Sequence, residues 1–456
     1  MLPGAFLTRT LEEHPYREAI GHILQRAIQA AEPANAVRQH VQREGDVLKV
    51  GEREYRLGRG GRIRVLGVGK AAPAMSATLV ELLGELPAVR VPRELPADRV
   101  LQGLVIAKHL PAQTVPGMEY QVGGHPVPDE NSLRAGEKAI QLVQGLSGED
   151  LLICLISGGG SALMSAPYPG IGLSDLQQLT TNLLACGARI DEINTLRRHL
   201  DQLKGGGLER LAAPARVVSL ILSDVVGNAL EAIASGPTAP DPTTLADALH
   251  ILGKYALLAT APPNILNALE AAPETPKPGD CIFERVQNLI VGSNQIAAQA
   301  ARQQALVEGF QVRFLGCEWQ GEARVVGKQL CQLLKNETSP GPVCLIAGGE
   351  TTVTLRGRGR GGRNQELALA AVCELAGIPD VLLVALATDG EDGPTDAAGA
   401  VVSGDTFSRG MALGLMPEDY LANNDAYTYF EQLGDLLKPG PSRTNVNDLF
   451  FLFRFK

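Results

Sequence analysis

The sequence predicts an α/β protein made of two α/β domains with mostly parallel sheets flanked by helices. Three observations lead there. Short apolar, β-leaning runs alternate with helical stretches along the chain. Several of these runs are apolar at every position, as in strands buried on both faces. Several also end in glycines or in an acid, at the edge where open parallel sheets bind ligands. Composition agrees: 45% hydrophobic and 4% aromatic residues read as an α/β enzyme rather than an all-β binding module, and 456 residues allow two or three domains.

In chain order, residues 11–41 are helical in pattern, with Ile20, Ile23, Leu24, Ala27 and Ile28 as the apolar stripe and Pro33 an interruption. Residues 47–57 read as a short hairpin. Residues 63–68 form a buried-strand signal that leads through Gly69 and Lys70 into a helix over 71–83. Strands near 104–107 and 120–122 and a helix over 133–146 precede the strand 151–156. Helices over 174–186 and 190–203 and a strand over 217–222 follow. The stretch 272–280 carries three prolines and is the expected boundary, giving domains 1–275 and 276–456. Beyond it, strands are expected near 289–291, 312–315, 343–347, 381–387 and 449–453, with helices over 295–307, 322–334 and 365–375.

The formal charge of −9 argues against general attraction to nucleic acid or to a membrane surface, so an anionic ligand needs local cations. Seven dispersed cysteines without a C-x-x-C pair suit a reducing compartment. The first residues lack the apolar core of a signal peptide, and no apolar run reaches the ~18 residues of a membrane span. A cytoplasmic protein, monomer or homodimer, is expected.

The run 151–156 passes directly into Ser157-Gly158-Gly159-Gly160-Ser161, which suits a phosphate or carboxylate cradle because glycines let N–H groups approach an anion. Gly67-Val68-Gly69-Lys70-Ala71-Ala72 fits G-x-G-x-x-A, yet Lys108 and His109 stand where a ribose-binding acid is due. Lys70 is more telling, since a cation beside a helix start is unfavourable unless an anion lies near. Asn194, Arg197, Asp201 and Lys204 share one face at helical spacing, and Lys204 runs into Gly205-Gly206-Gly207. Asp224 and Asp389 each follow a buried strand and suit Mg²⁺ or a general base, a helix cap and an Asp-Gly turn being the structural alternatives. Gly348-Gly349-Glu350-Thr351-Thr352 repeats the strand-then-glycine pattern. Residues 356–363 are an arginine-glycine run that leads into a helix, so an RNA-binding tail is disfavoured and Arg363 becomes an anion-gripping candidate.

With these residues collected, the chain resembles the type II glycerate kinases, the glycerate 2-kinase family whose C-terminal half is called the MOFRL domain. The resemblance spans nearly the whole chain and rests on GVGKAAPAM at 67–75, LISGGGSAL at 155–163, residues 194–207, SLILSDVVGN at 219–228, ASGPT at 234–238, AGGETTV at 347–353, GRGGRNQELAL at 359–369, ATDGEDGPTDAAGA at 387–400 and TNVNDL at 444–449. One departure is Ser442-Arg443, where the family more often has a Thr-Gly pair. The resemblance implies ATP-dependent phosphorylation of D-glycerate, commonly to 2-phosphoglycerate, with Mg²⁺, in a cleft between two α/β domains. Lys70 and Arg363 match positions regarded in the family as catalytically important. Substrate and phosphate binding then falls to Ser157, Gly158, Gly159, Gly160, Ser161, Arg197, Lys204, Gly205 and Glu350, with Asp224 or Asp389 for Mg²⁺ or the hydroxyl proton. No Walker pattern is present. An NADPH-dependent hydroxypyruvate reductase and a kinase acting at the 3-position are the alternatives.

Overall fold

A run that is apolar at every position has to be covered on both faces, and the sheets of this protein are built around such runs. The computed structural model describes residues 3–56, 61–84 and 101–456. The chain forms two compact units. One comprises Ala36–Ser223 and Asn228–Val291; the other comprises the chain up to Asn35, then Asp224–Gly227 and Gly292–Lys456. This differs from a single division after residue 275. The proline-bearing stretch 272–280 lies inside the first unit, where Asp241 N donates to Pro276 O (2.9 Å) and the Thr275 hydroxyl to Asp241 Oδ2 (3.0 Å). Its prolines fix a fastened crossing, not a linker.

In the first unit, β1 (Val41–Glu44), β2 (Val47–Val50) and β3 (Arg53–Arg56) form a small antiparallel sheet that contains the expected hairpin, with Leu57 outside the described residues. The main sheet is made of β4 (Ile63–Val68), β5 (Leu101–Ala107), β6 (Met118–Val122), β7 (Leu151–Ser157), β8 (Arg216–Leu222) and β9 (Val286–Gly292). Their order is β6-β5-β4-β7-β8-β9, and the pairs β4·β5, β4·β7, β5·β6 and β7·β8 are parallel. The central strands β4 and β7 are buried at every residue. β9, expected in the second half, instead lies at the edge of this first sheet. The helix Glu130–Val143 begins at Asp129, whose carboxylate accepts Ser132 N while the Ser132 hydroxyl returns to Asp129 N.

The second unit holds β10 (Gln311–Phe314), β11 (Trp319–Glu322), β12 (Val343–Thr352), β13 (Val381–Ala387), β14 (Gly399–Ser403), β15 (Leu436–Leu437) and β16 (Asp448–Arg454). The order is β10-β12-β16-β13-β14-β15, with β11 also on β12. β10 and β11 run parallel to β12, but β16 is antiparallel to both β12 and β13, and β14 and β15 continue antiparallel. This sheet is therefore mixed. Its last strand in sequence sits in its middle, burying Phe450, Phe451 and Phe453. The helix Arg17–Ala31 packs its expected stripe, Ile20 to Ile28, against the helix Asn294–Val307, and Pro33 opens a new helix, Pro33–His40.

Two local expectations change. Gly348 and Gly349 are not a turn: β12 continues through them to Thr352, with Gly348 opposite Leu449 and Gly349 opposite Asp448. A Cβ at Gly348 would overlap Asn294 Oδ1, so the glycine serves close packing of a helix start on the strand. The helix Ile190–His199 stops before Asp201 and Lys204, because Gln202 N turns to Ala166 O (2.8 Å) and Asp201 bridges to Pro167. Among the described residues no helix is long and apolar enough to cross a membrane.

The two central strands share one anchor. The buried Asp150 carboxylate accepts Arg62 N (2.6 Å), Ser147 N (2.6 Å) and Arg62 Nη2 (2.8 Å) at the amino ends of β4 and β7. Burial opposes its charge, but Arg62 and Ser147 outweigh burial and hold the carboxyl well below its ordinary range. Its contribution to stability is thus complete above about pH 4 and lost only as the solution is made strongly acidic. Replacing Asp150 by Ala leaves these donors unmatched and is expected to cost about 3 kcal/mol, read as an earlier urea transition. A transition at the parental midpoint would show that the anchor is idle.

Candidate active site

In the first unit the site begins at the carboxyl ends of β4 and β7, where Val68 pairs with Ile156 and both chains leave the sheet side by side. Ser157, buried, turns its hydroxyl to accept Ala71 N (3.0 Å), and Lys70 N donates to Gly158 O (3.1 Å). Gly69 adopts φ +119, and a Cβ there would overlap Ser157. Gly67 is buried inside β4, with Ala72 Cβ 3.3 Å from where its own Cβ would be. The glycines of G-x-G-x-x-A therefore admit Ser157 and the helix Ala72–Leu83. That packing accounts for them without a dinucleotide. The Lys70 side chain is exposed.

Gly159 has φ +85 and caps the single helical turn Gly160–Leu163. Among the described residues no backbone or side-chain acceptor engages the N–H groups of Gly159, Gly160 or Ser161, so this turn presents donors as a cradle requires. The Ser161 hydroxyl meets that of Ser235 (2.7 Å). The second glycine triplet behaves otherwise: Gly205 N donates to Ser235 O (2.9 Å) and Gly206 N to Gly236 O (2.7 Å), so neither N–H is open to a ligand.

Arg197, Asp201 and Lys204 are still brought together with Ser161, in the lining of a pocket that also includes Leu176, Leu179 and Leu183. Lys204 is buried there: its ammonium is ion-paired with Asp201 and donates to Met164 O (3.1 Å). Burial lowers its pKa, Asp201 pulling the other way. Arg197 is half-buried, its one hydrogen bond among the described residues being a long one to Asn194 Oδ1 at 3.4 Å, and desolvation lowers its pKa as well. Of the two cations, Arg197 is the less engaged and has the more donors left for a ligand.

The second unit carries an open cavity of about 750 Å³, within the range of small-ligand sites, lined by Glu350, Arg363, Asp389, Asp392 and Asp448 among others. Arg363, the first residue of the helix Arg363–Leu375, is its one basic lining residue among the described residues. It donates to Glu350 Oε1 (2.8 Å) from β12 and grips Asp448 of β16 through Nε (2.6 Å) and Nη2 (3.2 Å). Burial works against its charge, but Asp448 and Glu350 outweigh burial and raise its pKa further. Burial lifts Asp448 to about 7, Arg363 and Asn364 pulling down and Asp392 pushing up. Asp392 is itself lifted to about 6 by burial, although it accepts Asn364 N (3.1 Å) and Gln365 N (2.8 Å) and so caps the helix. Asn364 Nδ2 links the two carboxylates, at 3.2 Å and 2.9 Å.

Asp389 is half-buried at this cavity, its Oδ1 accepting Glu391 N (3.2 Å), which is the Asp-Gly turn foreseen as its structural alternative. Asp224, two residues beyond β8, is half-buried, and its carbonyl accepts Asn447 Nδ2 (2.8 Å). The arginine-glycine run is a fastened loop: Arg356 N and Gly357 N donate to Asn424 Oδ1, Arg358 N to Asn423 Oδ1 and Arg360 N to Asp425 Oδ1, while Arg360 lies 4.1 Å over the Tyr427 ring. At the unusual Ser442-Arg443 pair, the Ser442 hydroxyl bonds Thr388 O (2.5 Å) and Arg443 takes φ +65, a conformation suited to the glycine more common there.

Sequence reasoning passed over Asp392, Asn364 and Asp448 as site residues. Asp448 lay in the quoted TNVNDL motif, at the start of a strand; an acid before an all-apolar run was the available signal.

Together these parts define an α/β protein with a cation beside a glycine turn in one unit and an arginine in an acid-lined cavity in the other. Residues 19–270 match the family described as a domain of unknown function, DUF4147, and residues 343–448 match the MOFRL family. The chain is 40% identical over 394 residues to D-glycerate 2-kinase of Thermotoga maritima, spanning 85% of this chain and 89% of that one. It is also 40% identical over 463 residues to glycerate kinase of Homo sapiens, spanning 90% and 87%. The crystal structure of glycerate kinase from Thermotoga maritima aligns with a TM-score of 0.83 at 37% identity, over 95% of this chain and 97% of that chain. The chain belongs to the type II glycerate 2-kinase family.

Two measurements check the geometry. Arg443→Gly removes a side chain from a left-handed backbone position and is expected to raise stability by up to about 1 kcal/mol, seen as a later urea transition; an unchanged or earlier one means no strain is held there. Asp392 and Asp448 both titrate above the ordinary value of 3.8, so the stability they confer is complete at low pH and lost as pH climbs toward 6 and 7. An Asp448→Asn variant, which cannot titrate there, is expected to gain on the parent by on the order of 1–2 kcal/mol between about pH 5 and pH 8. Parallel stability curves for the two proteins would contradict it.

Proposed function

We propose that this protein transfers the γ-phosphoryl group of ATP to the 2-hydroxyl of D-glycerate, giving 2-phosphoglycerate and ADP. The observation that carries the reading is the 40% identity, over 85% of the chain, to D-glycerate 2-kinase of Thermotoga maritima. The chemistry of the residues supports it. Phosphoryl transfer needs little covalent help and much positioning, with cations to meet charge on the moving group. Lys70 and Arg363 are suited to that work. Glycerate's carboxylate suits the open N–H groups of Gly159, Gly160 and Ser161, with Arg197 as a second partner. Ser157 and Gly158 hold the turn against Lys70; Lys204 and Gly205 brace the wall behind it; Glu350 positions Arg363.

Among the described residues, the cavity of the second unit is lined by six carboxylates, Glu350, Glu366, Asp389, Glu391, Asp392 and Asp448, against Arg363. A polyphosphate entering so acidic a space needs a divalent cation. Among the described residues no group of three or more His, Cys, Asp or Glu side chains is arranged to hold a metal. Mg²⁺ takes one or two carboxylates and completes its shell with phosphate oxygens and water. Asp389, and Asp224 at the segment that Asn447 contacts, are the residues we assign to it. Held there, Mg²⁺ would supply positive charge to offset that of the polyphosphate. The seven free cysteines fit a cytoplasmic setting.

A coupled assay with D-glycerate, ATP and Mg²⁺ is expected to yield ADP, and phosphorus NMR of the product to place the phosphate on the 2-oxygen. Hydroxypyruvate with NADPH is expected to give no oxidation; NADPH oxidation without ADP formation would overturn the reading, and a 3-phosphate product would move the reaction to the other hydroxyl. Lys70→Ala and Arg363→Ala are each expected to lower kcat about 10²-fold or more. A fall of less than tenfold for a folded Lys70→Ala variant would make Lys70 an ordinary surface lysine.

A further inference from the structure

Four adjacent parallel strands of the first sheet, in the order β6-β5-β4-β7, deliver their following residues to one edge. Lys70 follows β4, Gly158 follows β7 and Lys108 follows β5. His125 follows β6 and was passed over in the sequence. We propose that His125 is the catalytic proton acceptor for the glycerate hydroxyl, an inference that rests on the kinase reading.

The imidazole is half-buried and lies against the glycine turn: a Cβ at Gly159 would stand 3.0 Å from His125 Cδ2 and 3.3 Å from Nε2. The turn is thus kept bare on the side where the ring sits. Among the described residues neither ring nitrogen has a hydrogen-bond partner, whereas His22, His40 and His199 are tied to Glu308, Ala36 O and Glu274. The charges facing the ring are Lys70 and Lys108 from the neighbouring strand ends. On its own loop, the carboxylate of Asp129 is already engaged by Gly124 N (3.0 Å) and Ser132 N (2.9 Å). Burial first, then Lys70 and Lys108, hold the imidazole below its ordinary value, so near pH 7 it is neutral with a lone pair to offer.

A small hydroxy acid whose carboxylate lies on the N–H groups of 159–161 carries its 2-hydroxyl one carbon away, beside this ring. In the step, the hydroxyl O–H bond breaks and its proton passes to the imidazole. The freed oxygen forms a bond to Pγ while the bond from Pγ to the ADP oxygen breaks, its electron pair leaving with ADP. Charge and atoms balance without another reactant. An acceptor of this kind contributes about 10²-fold or more.

The test compares the parent with His125→Ala and His125→Gln in the full chain, with thermal melts to establish folding and calorimetric titration of D-glycerate to establish binding. Both variants are expected to bind D-glycerate, to keep KM for ATP within about threefold, and to lose about 10²-fold in kcat. The acidic limb of the parental kcat/KM profile is expected to vanish in His125→Gln, and added imidazole to restore part of the activity of His125→Ala. Variants within tenfold of the parent, or an acidic limb that persists together with a loss that imidazole does not relieve, would overturn the proposal and make His125 a packing partner of the turn. A parent that makes no ADP from glycerate defeats the kinase reading itself, and the proposal with it.

Discussion

The first unit depends on the contact between Ser157 and the turn after β4. Two strands buried on both faces leave the sheet in register, and their next residues must pass each other with almost no room. Gly69 makes that possible because it has no Cβ, and the Ser157 hydroxyl uses the proximity to hold Ala71 N. From this follow the place of Lys70 beside Gly158 and the bare turn at Gly159. A glycine-rich sequence that looks made for a dinucleotide is here made for the close approach of two chains.

The second unit solves a different problem, keeping one arginine in place among carboxylates. Arg363 begins a helix, where a cation is unfavourable, yet Asp392 caps the same helix and supplies the opposite charge. Asp448 can reach Arg363 because β16, the last strand, lies between β12 and β13, which presents its first residue beside Glu350 of β12. The mixed character of this sheet therefore belongs to the site as much as to the fold.

What was legible in the sequence followed from periodicity and from strand ends. The parallel core of the first unit, the helix stripe at Ile20 to Ile28, and the candidates Lys70 and Arg363 were all visible as local patterns. The mixed sheet was not, because strand direction is a long-range property, β14 is rich in small residues, and β15 is only two residues long. The helical spacing from Asn194 to Lys204 misled for a physical reason: the helix ends at His199, where backbone bonds to residues 166–167 take over. Asp392 and Asn424 were hidden because their task is to satisfy backbone N–H groups far along the chain, and nothing local in the sequence marks such a partner.

The two cations illustrate two ways of presenting positive charge. Lys70 is fixed at its backbone, through Gly158 O, while its four-carbon side chain stays exposed and able to follow a moving group. Arg363 is fixed at its guanidinium, on two carboxylates from two strands, so its charge is aimed before any ligand arrives. Preorganisation of that kind is favourable only if the partners do not cancel the charge they hold. Here Glu350 is half-exposed and the buried Asp448 sits well above the ordinary carboxylate range. An entering anion therefore meets an arginine whose position is set by its neighbours and whose charge they only partly offset.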